Sequence, residues 1–596
     1  MARRRDIVPI EAATERRPPL LLDPRDGDVE TDASATEKRS LLALAGNLLA
    51  EVSLQKLLSA LVLLIVLPAL VLGLGPLVVT LWLSKVSSTP RAGGLAATLL
   101  VIALLAIAWI GGRPLLRIIE ASFWSLNALA IQPAYVACRE GMLHVVEAIL
   151  GEDATESRRA RKRAIASVFA GILICSLTLV ALLFVWRFTR WVANGADLRT
   201  PYRLVLPALA NATAIAVAYL ALASLWWGIA DATMPQPREL TTFRPRSDFV
   251  RSWRVAHLSD THVVGERFGF RLGSGRAGPR GNENFLEVLR RLDEVHRREP
   301  LDAIVVTGDL TDAGTSAEWG ELLDAFGEFP RLAPLIVALP GNHDLNVVDR
   351  ANPARLDLPT SPMKRLRQMR TVSVLAALQG ERVHVADPID HRMRDTVDQT
   401  FAPHAADIRG FANTGSRRLA KATGVVWECA FPMILPPERD DGLGIIACNS
   451  NAETHFSFTN ALGLVPAEKV YAIEAAVAQY PKACWVIALH HHIVEHPKLG
   501  HALAERIGTT LINGNWFTRR LLRFSDRAIV MHGHRHIDWM GACGDLLILS
   551  APSAVMPAKG TTDLYFYVQT IGIDGGGHIG LAEPIRVDVP QTLREV

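Results

Sequence analysis

Four apolar runs constrain this chain more than anything else in it: 57–83, 95–111, 164–186 and 204–230. None contains a charged residue, and three reach the ~20 residues that a helix needs to cross a bilayer. The second reaches that length by extending through Leu115-Leu116. Trp82, Trp109, Trp186, Trp226 and Trp227 stand near the run ends, where interfacial aromatics gather. The pattern predicts a membrane region over 38–230 with about four transmembrane helices. Pro68, Gly73, Gly75 and Pro76 interrupt the first run, which is expected to kink or re-enter. Residues 38–56 place apolar side chains at helical spacing and are expected to lie along a membrane surface. The charged, Pro-containing stretch 1–37 reads as a disordered tail, with no apolar segment and cleavage site of a secretory signal peptide.

Lys and Arg in the flanks orient the spans. The N-terminal side carries Arg3-Arg4-Arg5, Arg16-Arg17, Lys38-Arg39 and Lys56. The second loop carries Arg113, Arg117 and the cluster 158–163, whereas the first loop has only Lys85 and Arg91. Four spans with a cytoplasmic N-terminus return everything after Asp231 to the cytoplasm, whereas three would put it outside. The expected location is a membrane, the inner one if the chain is bacterial. Six scattered cysteines without a CxxC pair agree with a reducing compartment. A net charge of +3 supplies no field for a nucleic-acid polymer. Oligomeric state leaves no mark on the sequence.

Residues 231–250 are polar and Pro-interrupted, and read as a linker. From Arg251 the character changes: short Val- and Ile-rich runs alternate with amphipathic stretches. Strands are expected at 253–258, 302–307, 334–339, 425–430, 443–448, 484–489, 528–532, 545–550 and 564–571. Helices are expected at 283–298, 317–327 and 467–480. The fold class is an α-helical membrane region plus an α/β domain over 251–596. Residues 345–424 break the alternation and read as an insertion with one helix near 363–379 and no clear strand.

Chemistry collects where the strands of this domain end. Asp260 and His262 alternate after the first strand, so both can turn toward one ion. Gly308-Asp309 ends the second, with a carboxylate whose two oxygens could bridge two cations. The third ends in Leu339-Pro340-Gly341-Asn342-His343-Asp344, the fourth in His490-His491-His492, and the fifth in His532-Gly533-His534-Arg535-His536. Open α/β sheets bind ligands just beyond the carboxyl ends of their strands. Nitrogen and oxygen ligands without thiolate suit Mn, Fe, Zn, Co or Ni.

The order D-x-H, GD, GNH[D/E], H, GHxH resembles the calcineurin-like metallophosphoesterase family over about residues 251–575. The resemblance implies an αββα sandwich of two packed sheets flanked by helices, and two divalent or trivalent metal ions, Mn, Fe or Zn. By resemblance, Asp260, His262, Asp309 and His536 hold one metal. Bridging Asp309, Asn342, His490 and His534 hold the other, with His491 competing for the place of His490. His343 is implied to contact phosphate and protonate the leaving group, with Asp344 orienting it. Paired cations lower the pKa of a bridging water and clamp phosphoryl oxygens, and the resulting hydroxide attacks phosphorus in line. The segments LSDTH, VVTGDLTDAGTSAEW, LPGNHD, ALHHHI and HGHRH are most similar to the class III cyclic nucleotide phosphodiesterase branch. Arg535 stands where that branch has Thr, and reads as a solvated or structural residue before a phosphate contact. The expectation is a membrane-anchored phosphodiesterase. The alternatives are a hydrolase of phospholipid or lipid-linked pyrophosphate, and a membrane sensor or docking protein with a non-catalytic domain.

Overall fold

The computed structural model describes residues 54–590 apart from 91–92, 151–155, 194–196, 198, 241–244, 266–281, 350–354, 359–360, 388, 497–506 and 558–562. The expectations for 1–37 and for most of 38–56 lie outside the described residues. The chain divides into two units, one over 53–235 and one formed by 236–500 and 508–596.

In the first unit, the helices Leu54–Ser88, Gly94–Val146, Ala160–Trp186 and Pro201–Ala232 are long and apolar enough to cross a membrane. Leu95, Trp109 and Ile110 leave 77%, 75% and 75% of their surface exposed, a patch that water penalises and lipid does not. Small residues let two of these helices touch. A Cβ on Gly228 would stand 2.8 Å from Ser167 O, and Ser224 Oγ donates to Gly171 O at 3.2 Å. Two features differ from the sequence reading. The first run is one continuous helix and does not re-enter, with a π-turn at Val62–Val66, and the second continues through Pro114 far beyond residue 111, with a π-turn at Asn127–Ile131. Each π-turn ends two residues before a proline, Pro68 or Pro133, whose ring has no N–H for the carbonyl one turn back. The widened turn absorbs the missing hydrogen bond, and the helix goes on.

The second unit is built on two sheets. The larger has nine described strands in the order β1-β11-β12-β10-β9-β8-β7-β5-β6. These are β1 Pro237–Glu239, β5 His384–Ala386, β6 Met393–Thr396, β7 Met433–Leu435, β8 Leu443–Ala447, β9 Cys484–Ala488, β10 Ala528–His532, β11 Trp539–Cys543 and β12 Leu546–Ser550. The smaller runs β14-β13-β2-β3-β4, with β15 paired to β13. Its strands are β2 Arg251–Leu258, β3 Ala303–Val306, β4 Ile336–Ala338, β13 Leu564–Ile573, β14 Ile579–Leu581 and β15 Ile585–Val589. The apolar runs β2, β3 and β4 are parallel, as are β8, β9, β10 and β12. Strands buried on both faces need such continuous apolar sequence. One buried cluster joins Val255 and Val305 of the smaller sheet to Ile445, Val486 and Met531 of the larger. The helix Glu283–Arg298 adds Phe285, Val288, Leu289 and Leu292 to that cluster while its arginines stay outside. Burying each such side chain contributes about 1.5–3 kcal/mol.

Three expectations are corrected. Residues 237–239, read as linker, form the strand β1 that pairs antiparallel with β11. The apolar stretch 425–430, read as a strand, lies largely in the helix Arg417–Cys429, so Cys429 is helical. Residues 345–424 contain strands after all, since β5 and β6 extend the larger sheet. Their helix Pro362–Gln379 is no appendage: Met369, Val372 and Leu375 are fully buried in the shared core. At its end Gln379 pairs with the edge of β4, taking Ala338 N–H on Oε1 at 2.7 Å and donating Nε2 to Ala338 O at 2.9 Å.

Candidate metal centre

Parallel strands of both sheets end at one place. β2, β3 and β4 deliver Asp260, His262, Asp309, Asn342 and His343, while β9 and β10 deliver His490, His534 and His536. The loops are laced together beyond the strands: Asp260 N–H donates to Gly308 O at 3.0 Å, His262 N–H to Asp309 O at 2.9 Å, and Gly533 N–H to His490 O at 3.1 Å. Asp260, His262, Asp309, Asn342 and His490 are all at most 2% exposed, and His343 is 9% exposed.

The backbone here is held where side chains rarely let it rest. Among the described residues, six non-glycines have φ in the left-handed region, and five are Asp260, His262, Asp309, His534 and His536. Such conformations cost about 1–3 kcal/mol each and persist where surroundings over-determine them. Gly308, at φ +91°, makes the Asp309 turn possible. A Cβ there would stand 2.6 Å from His490 Nδ1 and 2.8 Å from Gly341 N.

The side chains converge as two donor sets sharing one atom. His536 Nε2 lies 3.2 Å from Asp260 Oδ1 and 3.4 Å from His262 Nε2. On the other side, His490 Nε2 lies 3.0 Å from Asn342 Oδ1 and 3.1 Å from His534 Nδ1. Asp309 Oδ2 is 3.7 Å from His262 Nε2 and 3.3 Å from His490 Nε2. The other oxygen, Oδ1, accepts the backbone N–H of His343 at 2.9 Å. A single oxygen therefore faces both sets, where the sequence reading used two. Asp260 Oδ1 is buried and lacks a hydrogen bond despite the nearby imidazole. Buried nitrogen and oxygen donors crowded this closely fit a pair of cations.

Surrounding groups set each ring. His262 Nδ1 meets Asp312 Oδ1 at 3.0 Å and His490 Nδ1 meets Thr307 O at 2.8 Å, which turns both Nε2 atoms inward. His491 instead has Nδ1 2.9 Å from Ser450 Oγ, and the donor set that converges with Asp309 and His534 includes His490. Burial alone would push His490 down, but the charge of Asp309 and its hydrogen bond hold the ring at about 9. Burial acts against the charge of Asp309 too, yet His490 and His343 beside it keep the carboxyl well below its ordinary value.

His343 donates Nδ1–H to Asp312 O at 2.6 Å, leaving Nε2 toward the site, and burial lowers its pKa. Asp344 makes no bond to that ring. Its Oδ1 accepts from Thr311 N–H at 2.8 Å and Thr311 Oγ1 at 2.6 Å. Its Oδ2 accepts from Leu310 N–H at 3.1 Å and Gly341 N–H at 2.8 Å. Asp344 thus ties the Asp309 loop to the Asn342 turn, and the His343 tautomer is fixed by a backbone carbonyl. Burial and then the charge of Asp309 push the Asp344 carboxyl up to about 6. Arg535 is structural and buried: it donates to Glu495 Oε2 at 3.1 Å, and Glu495 Oε1 meets His492 Nε2 at 3.1 Å. Asp312 and Ser450 escaped the sequence reading. Asp312 carried a signal, as a second carboxylate on the turn that presents Asp309.

Comparison with known proteins follows the first half of this site. A profile described as calcineurin-like phosphoesterase matches residues 254–400, which include Asp260, His262, Asp309, Asn342 and His343; the three later histidines lie beyond the match. A cAMP/cGMP dual specificity phosphodiesterase of Mycobacterium tuberculosis is 32% identical over 144 residues, 24% of this chain and 39% of that protein. This chain therefore matches well under half of that relative's length. A purple acid phosphatase structure from yellow lupin (Lupinus luteus) covers 58% of this chain and 55% of its own at 11% identity and a TM-score of 0.26. A dimetal phosphatase from Danio rerio covers 57% of this chain and 99% of its own at 9% identity and a TM-score of 0.33. With the profile falling on the strands and turns that carry the shared carboxylate, the α/β unit is a calcineurin-like metallophosphoesterase domain.

Proposed function

We propose that the protein is a membrane-anchored, metal-dependent hydrolase of phosphodiesters, with a cyclic nucleotide as the favoured substrate class. The observation that carries this reading is Asp309 Oδ2, one carboxylate oxygen facing two converging donor sets. Asp260, His262, Asp309 and His536 would hold one ion, and Asp309, Asn342, His490 and His534 the other. Two such ions supply Lewis acidity and a nucleophile at neutral pH. The chain's own residues do the rest. The neutral amide of Asn342 leaves net positive charge for a phosphate anion. His343 offers Nε2 to the leaving oxygen, and its proton is stabilised there only when an anion sits beside the ring, since burial otherwise keeps it neutral. Asp344 positions both turns.

The cAMP/cGMP dual specificity of the mycobacterial relative supports the cyclic nucleotide class, the four membrane-length helices support anchoring, and the Lys and Arg of their flanks support a cytoplasmic domain. The same helices favour a second reading, a phospholipid or lipid-linked pyrophosphate substrate. The test is the purified full chain in detergent, stripped and reloaded with Mn, Fe or Zn, assayed on bis(p-nitrophenyl) phosphate, cAMP, cGMP and micellar phospholipid. Hydrolysis of the cyclic nucleotides, lost in Asp309→Ala, supports the first reading. Turnover of lipid alone selects the second, and unchanged activity in Asp309→Ala refutes the metal mechanism.

A further inference from the structure

Between the two sheets, on the side formed by β2 and β13 against β11 and β12, lies a cavity of about 270 Å³. None of the metal-ligand candidates lines it. One wall is His257, Tyr567 and Gln569, which share a face of the β2–β13 pair because His257 stands opposite Tyr567 and Val255 opposite Gln569. The facing wall includes the apolar Met540 and Leu549. At the mouth stand two exposed acids, Asp538 and Glu583.

The polar groups of this cavity are set but not all matched. Asp538 Oδ2 accepts the hydroxyls of Tyr565 at 3.0 Å and Tyr567 at 2.9 Å, which fixes the Tyr567 ring as a wall. His257 has Nε2 engaged with Thr307 Oγ1 at 3.1 Å, so the nitrogen left for a ligand is Nδ1. Gln569 is 3% exposed, and its amide oxygen has no hydrogen-bond partner. A buried, unpaired amide in the wall of a cavity is unusual in folded proteins and calls for a partner. Burial brings His257 down to about 3, so the ring is neutral and can accept.

We propose that this cavity is a second ligand site, taking a flat, uncharged or cationic nitrogen heterocycle of nucleobase size that donates N–H to Gln569. Its volume lies just under the range of drug-sized pockets, which suits a single ring system better than a nucleotide. Packed sheets stand roughly 10 Å apart, which favours a planar guest between an aromatic wall and an apolar one. The acids at the mouth repel phosphate, so the guest differs from the phosphoester handled by the metals. Placed beside a domain read as a cyclic nucleotide hydrolase, the site would let a free base modulate the enzyme without competing for it.

The full chain in detergent, metal-loaded, is tested with adenine, guanine, cytosine and uracil by saturation-transfer NMR and calorimetry. At least one base is expected to bind with unit stoichiometry, and saturating inorganic phosphate is expected to leave that binding intact. Gln569→Met, which keeps length and removes the amide, should weaken binding about tenfold, the scale of one lost hydrogen bond in a buried site. Met540→Trp, at a half-buried position, should abolish binding by filling the space. Both variants should hydrolyse bis(p-nitrophenyl) phosphate at the parent rate. Binding of none of the four bases at millimolar concentration overturns the proposal, since water alone then serves Gln569. So does displacement of the base by phosphate, or full binding retained in either folded variant. Failure of the hydrolysis assay with base binding intact would instead count against the catalytic reading alone.

Discussion

Replacing Asp344 by Asn separates two accounts of this carboxylate. In the structure its Oδ1 serves Thr311 twice and its Oδ2 serves the N–H groups of Leu310 and Gly341. An amide keeps one oxygen. In the better flip its NH2 faces Thr311, whose hydroxyl can turn to accept, and the Thr311 N–H is left without an acceptor at a site 0% exposed. A buried donor left unsatisfied costs about 1–3 kcal/mol. Some of that is offset because the native carboxyl is itself disfavoured by burial and by Asp309, at about 6. A net loss of about 1–3 kcal/mol is expected, against a total stability on the order of 5–15 kcal/mol. The loops that lose their tie carry Asp309 and Asn342, so metal affinity should fall with stability. Thermal unfolding of the metal-free full chain and metal content by mass spectrometry measure the two effects. If Asp344 acted on the His343 ring, Asp344→Asn would leave stability and metal content intact and shift the pH–rate profile. That outcome would refute the reasoning.

Three further predictions rest on the same geometry. In the metal-free protein His490 is held at about 9, above its ordinary value, so its charged form contributes stability that is complete below about pH 6.5 and is lost as pH rises through 9. Metal needs the neutral ring, so loading near pH 7.5 should release a proton from His490. Calorimetry in buffers of different ionisation enthalpy should show that release, and metal affinity should rise between pH 7 and 9. Gly308→Ala places a Cβ 2.6 Å from His490 Nδ1 at φ +91°, and should destabilise the chain by at least about 1–3 kcal/mol and displace a ligand, read as lost metal content. Gln379→Leu strips Ala338 of both its partners and should lower stability by about 2–4 kcal/mol with metal content per folded molecule unchanged.

What the sequence made legible follows from how strongly each element depends on local pattern. The helix Glu283–Arg298 was visible because its apolar residues recur at helical spacing against a row of arginines. The candidate ligands are legible because strands that end in Asp, Asn or His after Gly are poor core material. The stretch Val425-Val426-Trp427 misled because a short apolar run reads alike in a strand and in a buried helix. β1, β5 and β6 span three or four residues each, and their pairing depends on partners remote in sequence. The grip of Asp344 on the loops, and of the Asp312 carbonyl on His343, exists only once β3 and β4 lie side by side. No spacing rule reports that.

The amide of Gln379 has a consequence for how the molecule meets its own copies. β4 is the last strand of its sheet, and a last strand offers unpaired N–H and C=O groups to any extended chain nearby. At Ala338 that invitation is withdrawn, because the end of a helix stands where a further strand would begin. The segment 345–424 thus behaves as an end-stop for β-sheet growth. Trimming it to obtain a smaller catalytic fragment would bare that edge together with the core that Met369, Val372 and Leu375 fill, and the fragment is expected to aggregate.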